Sequence, residues 1–259
     1  MEVTAALVKE LRDRTGIGMM DCKKALNETN GDIELAIEEL RKKGLAKAAA
    51  KADREALEGA IKVVIEQNKA YVVSVSCETD FLANTPRYQD MLNDVISLLK
   101  DGKTKEDVKA MIDKDYSLEM GENLQVKDFI SLEGVSVGAY VHSNNKLASV
   151  VLAKQEADSE KLKQVAMHIT AANPEFLSVN DISTEVIEKE KSIQLEIMKN
   201  DPKMAGKPDE VLLKIIDGKM GKFASEVALL EQQFVINPDQ KVKDFIGNET
   251  ISSFYRFTI

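Results

Sequence analysis

The residue pair best suited to chemistry is Asp80–Phe81, in the stretch CETDFLAN (77–84). It stands between AYVVSVS (70–76), which reads as a buried strand, and TPRYQDMLNDVISLLK (85–100), which reads as a helix. A carboxylate beside an aromatic ring at such a turn allows two placements. Thr79 or Asp80 can cap a short helix while Phe81 and Leu82 fold back into the core. Alternatively the ring stands outward as a wedge that fills an apolar pocket on a partner, as interface anchors do. The carboxylate then engages a polar or cationic group beside that pocket. Such a pair suits the disturbance of a site that depends on geometry, for example a nucleotide site holding Mg²⁺, an ion that tolerates little departure from octahedral coordination.

Catalytic and metal-binding patterns are otherwise missing. Two histidines, His142 and His168, and two cysteines, Cys22 and Cys77, match no standard zinc spacing and no disulfide framework. No nucleophile elbow, Walker loop, HExxH or CxxC occurs. GKMGK (218–222) lacks the spacing and the Ser/Thr of a phosphate loop and reads as the end of a helix. DKDYSLEMGENL (113–124) opens like a calcium loop but lacks the glycine at its sixth position and the final glutamate. No cofactor, no bound metal and no bond-making enzyme are expected. The residues alone point to an interaction protein, with a coiled-coil adaptor as one form of it.

The elements that must position Asp80–Phe81 fall into three patterns. Residues 1–40 read as three short helices. Thr4 can cap the first, with Ala5, Leu7, Val8 and Leu11 on one face; the second runs from about Met19 to Leu26; NETNGD (27–32) is a turn, with Asp32 capping the third. So small a bundle is expected to be an independent adhesive module. In the middle, GAIKVVIEQNKAYVVSVSCETDFLAN, from Gly59, and GAYVHSNNKLASVVLAKQEADSEK, from Gly138, share an order: Gly-Ala, a strand, an Asn-Lys turn, a second strand, acids, a helix. Asn68 and Asn145 set a repeat of about 77 residues, the scale of one small α/β unit. Each half is expected to be an antiparallel sheet covered by helices, an α+β arrangement, with 103–134 joining them. The second half has KQEADSEK where the first has SCETDFLAN, so the scaffold recurs and the Asp-Phe step does not.

After about residue 183, two charged helices carry narrow apolar stripes, Val186, Ile193 and Ile197 on one, Val211, Ile215 and Phe223 on the other, with DPKMAG (201–206) as the turn between them. The pattern leaves open a projecting coiled coil or a hairpin packed on the core. β character returns in QQFVINP (232–238) and ISSFYRFTI (251–259).

Bulk properties narrow the class. The chain has 259 residues, 44% hydrophobic and 31% charged, enough for one large domain or two to three small ones. Its net charge of −9 argues against nucleic acid as a direct partner. One island departs from this: RKKGLAKAAAKADR (41–54) has six Lys/Arg and one Asp, a solvated helix or linker, or a docking patch for an acidic partner. No apolar run approaches a membrane span, and the opening residues do not read as a secretory signal, so a cytoplasmic location is expected.

TAALVKELRDRTGIGMMDCKKAL (4–26), NGDIELAIEELRKKG (30–44), TDFLAN (79–84) and AMHITAANPEFL (166–177) resemble bacterial elongation factor Ts, in order along nearly the whole chain. The resemblance implies a guanine-nucleotide exchange factor for elongation factor Tu in translation. It implies a ubiquitin-associated-like helical domain and linker over 1–54, one core subdomain over 55–137, a second over 138–183 and 227–259, and a dimerisation coiled coil over 184–226. By matching position, Asp80, Phe81, Leu82 and Ala83 form the segment that intrudes beside the partner's Mg²⁺ and phosphates. Arg12, Met19, Met20 and Lys23 grip the GTPase domain, His142 touches another domain, and Val235 and Ile236 belong to a further contact strand. The residues alone make Met19 and Met20 a helix face and His142 a turn residue. Leu82 stands where the family usually has valine. Some members continue into a C-terminal helical module; here the sequence ends at FYRFTI, so contact through such a module is not expected.

Overall fold

Thr4 sets the first helix: its hydroxyl accepts from the Leu7 amide at 3.3 Å. The computed structural model describes residues 3–201, 204, 207–248 and 250–259. In it α1 spans Ala5–Thr15 and ends on Gly16, in the left-handed region at φ 70°. α2 spans Met19–Glu28. Asp32 accepts from the Leu35 amide at 3.0 Å and opens α3, Ile33–Lys51. The basic island is therefore mostly the exposed end of a helix. Val8, Leu11, Ile17, Cys22, Ala25, Leu26, Ala36 and Leu40 form the bundle's core. Leu118, from far along the chain, packs against that core. The bundle thus has a core of its own and also touches the rest of the molecule through Leu118.

The first half of the core contains β1 (Glu58–Glu66), β2 (Lys69–Cys77), the one-turn α4 (Asp80–Ala83), α5 (Pro86–Lys100), α6 (Lys105–Asp115), α7 (Ser117–Met120) and β3 (Gln125–Glu133). β1 and β3 flank β2, both antiparallel to it. The segment read as a joiner thus supplies the third strand. The second half contains β4 (Ser136–Val141), β5 (Leu147–Ala153) and α8 (Ser159–Ala172), with β8 (Ile251–Thr258) returning at the end of the chain. Its sheet has the order β4-β5-β8, again antiparallel.

The two sheets meet face to face. Ile61, Ala70, Val72 and Leu132 of one pack with Val137, Ala148, Val150 and Leu152 of the other. On the outer faces Val73, Val75 and Cys77 meet Tyr88, Met91 and Val95, while Val151 and Ala153 meet Leu162, Val165 and Ile169. Helix, sheet, sheet and helix layers result. β2 and β5 are central and covered on both sides, so they read as apolar runs where an antiparallel strand with one wet face would alternate.

The repeated Gly-Ala has a different cause in each half. Gly59 has φ +143°, and a Cβ there would lie 2.2 Å from the Val75 carbonyl oxygen. A Cβ on Gly138 would lie 2.4 Å from that of Leu162, because α8 sits directly on β4. Gly138→Ala is expected to cost about 1–3 kcal/mol by overpacking. Thermal unfolding should show the loss, and an unchanged melting temperature would contradict this close approach.

The charged helices are α9 (Thr184–Lys199) and α10 (Asp209–Val227). They form a hairpin whose connecting stretch, expected as the turn 201–206, falls partly outside the described residues at positions 202, 203, 205 and 206. Met198, Leu212 and Ile216 are buried in the seam, with Leu195, Ile215 and Met220 beside them. Lys191 pairs with Asp217 at 3.7 Å, and Lys219 donates to Gln194 at 3.0 Å. Of the stripe expected from sequence only Ile215 joins this seam; Ile193, Ile197 and Val211 are exposed. Each helix has apolar residues on two sides, so spacing alone admits either register.

A 3-10 turn, Leu229–Glu231, then leads to β6 (Gln233–Phe234), β7 (Asn237–Lys241) and α11 (Val242–Ile246) before β8. Phe234 is buried and stacks on Phe245 with ring centroids 4.4 Å apart. The strand expected over 232–238 is thus broken. Val235 and Ile236 form the two-residue turn between β6 and β7, and the Val235 amide donates to the Nδ1 of buried His168 at 3.1 Å.

Candidate functional site

The Asp80–Phe81 turn is built as a rigid projection. Thr79 is extended and caps α4, its hydroxyl accepting from the Leu82 amide at 3.3 Å. Asn84 closes the turn by donating its amide nitrogen to the Asp80 carbonyl at 2.8 Å. Thr85 then caps α5, accepting from the Tyr88 amide at 3.2 Å, with Pro86 in the first helical turn. With two caps and a proline in eight residues, the path from β2 to α5 is fixed locally. Five residues, 154–158, make the equivalent link from β5 to α8, with no helical turn inserted. The extra turn carries Phe81.

Within α4 the four side chains divide. Ala83 is buried and Leu82 packs partly on the first-half core. Asp80 is exposed, and Phe81 is 83% exposed, the most open large apolar side chain described. The inward placement of Phe81 is thereby excluded, while Leu82 anchors the turn from beneath. A bare phenyl ring in water is unfavourable by its apolar area and gains when a partner covers it. Because its turn is already ordered, little conformational entropy is lost on binding.

The pedestal comes from a part of the chain that sequence reading missed. Both Glu122 oxygens face the turn. One accepts from the Glu78 amide at 2.8 Å and the Thr79 amide at 2.9 Å, the other from the Thr79 hydroxyl at 2.5 Å. Charge-assisted bonds of this kind are about twice as strong as neutral ones. Glu78 in turn accepts from the Asn123 amide at 2.8 Å and lies 3.5 Å from the Arg54 guanidinium. Asn123 donates its side-chain nitrogen to the carbonyls of Ala52 and Arg54, at 3.2 and 2.6 Å. The turn and the end of the N-terminal bundle are thus held by the same two residues, Glu122 and Asn123. Below, Cys77 donates to the Thr79 carbonyl at 3.1 Å. Burial pushes that thiol up to about 11, so it stays protonated and acts as a structural donor at neutral pH.

The remaining candidate residues sit on separate platforms. Arg12 is exposed on α1; Met19, Met20 and Lys23 are exposed on α2, with Met20 at 80%. Buried Cys22 and Leu26 hold the opposite face of α2, so neither methionine fills the core. Met20 and Lys23 border a shallow depression with Lys24, Asn27 and Glu28. Met and Lys beside an open concavity suit an adaptable apolar contact with a cationic rim. His142 is half-buried at the start of the β4–β5 turn, its Nδ1 3.2 Å from the Tyr140 hydroxyl and its amide donating to the Leu147 carbonyl at 2.8 Å. Val235 and Ile236 are 53% and 49% exposed at the β6–β7 tip, an unusual turn composition because both are β-branched. Among the described residues no group of three or more His, Cys, Asp or Glu side chains is placed to hold a metal ion, and no helix is long and apolar enough to cross a membrane.

Comparison with known proteins places the chain in a family. Residues 78–259 match the family model described as Elongation factor TS. Over its whole length the chain is 42% identical to the Elongation factor Ts of Spiroplasma citri, covering 93% of that protein. It is 43% identical to the Elongation factor Ts proteins of Klebsiella pneumoniae subsp. pneumoniae and of Salmonella newport, covering 92% of each.

Proposed function

The chain belongs to the elongation factor Ts family, and from that premise we propose that it is a guanine-nucleotide exchange factor for elongation factor Tu, acting in the cytoplasm. It is a translation elongation factor by family. The observation that carries the exchange reading is Phe81, an open aromatic ring on a turn clamped from below.

In this reading the chain approaches the GDP-bound partner on several platforms. The α2 face, with Arg12 nearby, grips the GTPase domain, while the β6–β7 tip and His142 meet other parts. Phe81 enters an apolar pocket beside the partner's Mg²⁺ site, and Asp80 competes for the polar groups around the ion. Mg²⁺ holds a strict geometry, so displaced ligands weaken it and with it the phosphates. The chain makes and breaks no bond in the nucleotide. It binds the empty partner more tightly than the GDP-bound one, and by linkage GDP binds the complex less tightly in the same proportion. GTP then fills the vacated site.

Reciprocity gives the test. The chain mixed with elongation factor Tu and stripped of nucleotide should elute as a stable complex on gel filtration, and added GDP should dissociate it. A mixture that never associates, or a complex indifferent to GDP, would overturn the reading.

The hairpin supports a second assignment, contact with another copy of this chain. Its inner seam is filled, yet Ile193, Ile197, Val211 and Leu213 remain exposed on it. Ile197→Glu is expected to weaken self-association at least about tenfold in sedimentation equilibrium, since a desolvated charge would face an apolar surface. Equal association constants for the two chains would place the dimer contact elsewhere.

A further inference from the structure

We infer that His168 is a positioning residue for the β6–β7 tip, and that it holds Val235 and Ile236 in place only as the neutral imidazole with its proton on Nε2. This rests on the reading of Val235 and Ile236 as a partner contact. The ring itself is 1% exposed and cannot reach a partner.

The tautomer follows from the bonds around it. Gln232 donates its side-chain nitrogen to the Glu226 carbonyl at 2.7 Å, which turns its oxygen toward His168. That oxygen lies 2.8 Å from Nε2 and can only accept, so Nε2 carries the proton. Nδ1 is left with a lone pair, and the Val235 amide donates to it at 3.1 Å. The ring also packs against Phe234, with centroids 5.8 Å apart. His168 thus takes the first N–H of a turn whose two residues are both β-branched, a composition that does not favour a tight turn by itself.

Protonation would reverse the contact. A proton on Nδ1 faces the Val235 N–H donor to donor, and the tip must let go. The surroundings offer the imidazolium nothing in exchange. Lys222 and Glu226 on α10 lie 3.5 Å apart, and Glu231 is held at 2.7 Å by both Lys241 and Lys243. These charged groups border the ring's cavity or brace it, and they are matched to one another. Burial accordingly holds the ring below the ordinary histidine value of 6.5, with the Gln232 bond opposing. With the folded value below the unfolded one, this contact's stabilisation is complete above pH 6.5. It is lost as pH falls from 6.5 toward the folded value. Partner binding through the tip, which needs the neutral ring in the folded chain, should weaken as pH falls through the folded value.

The test uses the full chain and purified elongation factor Tu. Long-range ¹H–¹⁵N spectra of the chain alone at pH 7.5 should show His168 neutral with Nε2–H. The Val235 amide resonance should titrate with the ring. Affinity for the partner should fall about two- to fivefold more between pH 7.5 and 5.5 for the wild type than for Val235→Ala/Ile236→Ala, whose tip contributes nothing to be lost. His168→Asn keeps an acceptor near Nδ1 and cannot titrate, so it should retain the pH 7.5 affinity and lose that extra pH dependence. An Nδ1–H tautomer, a Val235 amide that ignores the ring, or a full pH slope in His168→Asn would each overturn the assignment. A chain that does not bind elongation factor Tu at all would sink the proposed function instead, and the spectra would still decide the state of the ring.

Discussion

Phe81→Ala should leave the fold intact and remove most of the exchange activity. The two halves of that expectation come from one number, the 83% exposure of the side chain. A ring that touches little of its own protein stabilises little of it, and the variant should unfold within about 0.5 kcal/mol of the wild type. Had the ring been core, truncation would cost about 3–5 kcal/mol and a large cavity. At the partner the opposite applies. A preordered aromatic anchor that becomes fully desolvated is worth about 2–4 kcal/mol, so stimulated GDP release at a fixed subsaturating concentration should fall roughly 30- to 1000-fold. A variant that melts normally and still exchanges normally would refute the wedge without any appeal to misfolding.

Glu122→Gln should damage exchange from beneath the surface. Glu122 accepts from two backbone amides and a hydroxyl, which it can do only because both its oxygens are acceptors. Glutamine can keep its oxygen on the two amides only by turning its NH₂ toward the Thr79 hydroxyl, so the hydroxyl's donated bond is lost and the charge-assisted bonds become neutral ones. With bonds to charged groups worth about 1.5–3 kcal/mol each, the turn 78–85 should loosen and unfolding should become easier by about 1–3 kcal/mol. Stimulated GDP release should fall about tenfold or more, because a mobile Phe81 must be ordered at each encounter. Hydrogen exchange should locate the cause: the Thr79 amide gains exchange in this variant and not in Phe81→Ala. Wild-type protection of that amide in Glu122→Gln would remove Glu122 from the mechanism.

These two residues mark what could and could not be read from the chain. Thr4 and Asp32 act locally, and their caps were legible. So was the internal repeat, because both strand hairpins and the helix after each lie within one short stretch. The special status of Asp80–Phe81 was legible by comparing the halves, since only one carries the extra turn. Glu122 was not legible, because it reaches Thr79 across 43 positions and no periodicity connects them. The same holds for His168, 67 positions from the Val235 amide it binds. β3 was missed because it is an edge strand of mixed polarity with a bulge opposite Ser74 and Val75. The hairpin register slipped because α9 and α10 each have apolar residues on two sides, and the buried set, Met198, Leu212 and Ile216, is no more hydrophobic than the exposed one. Local patterns name elements; the bonds that aim a functional side chain come from elsewhere in the fold.

The most direct measurement is stopped-flow release of a fluorescent GDP analogue from elongation factor Tu, chased with excess GDP, with and without the full chain. Exchange by a Phe81 wedge predicts release that accelerates with chain concentration and levels off at a rate far above the spontaneous one, with less acceleration as free Mg²⁺ rises. Release that stays at the spontaneous rate at every chain concentration, while the two proteins are seen to bind, would contradict it.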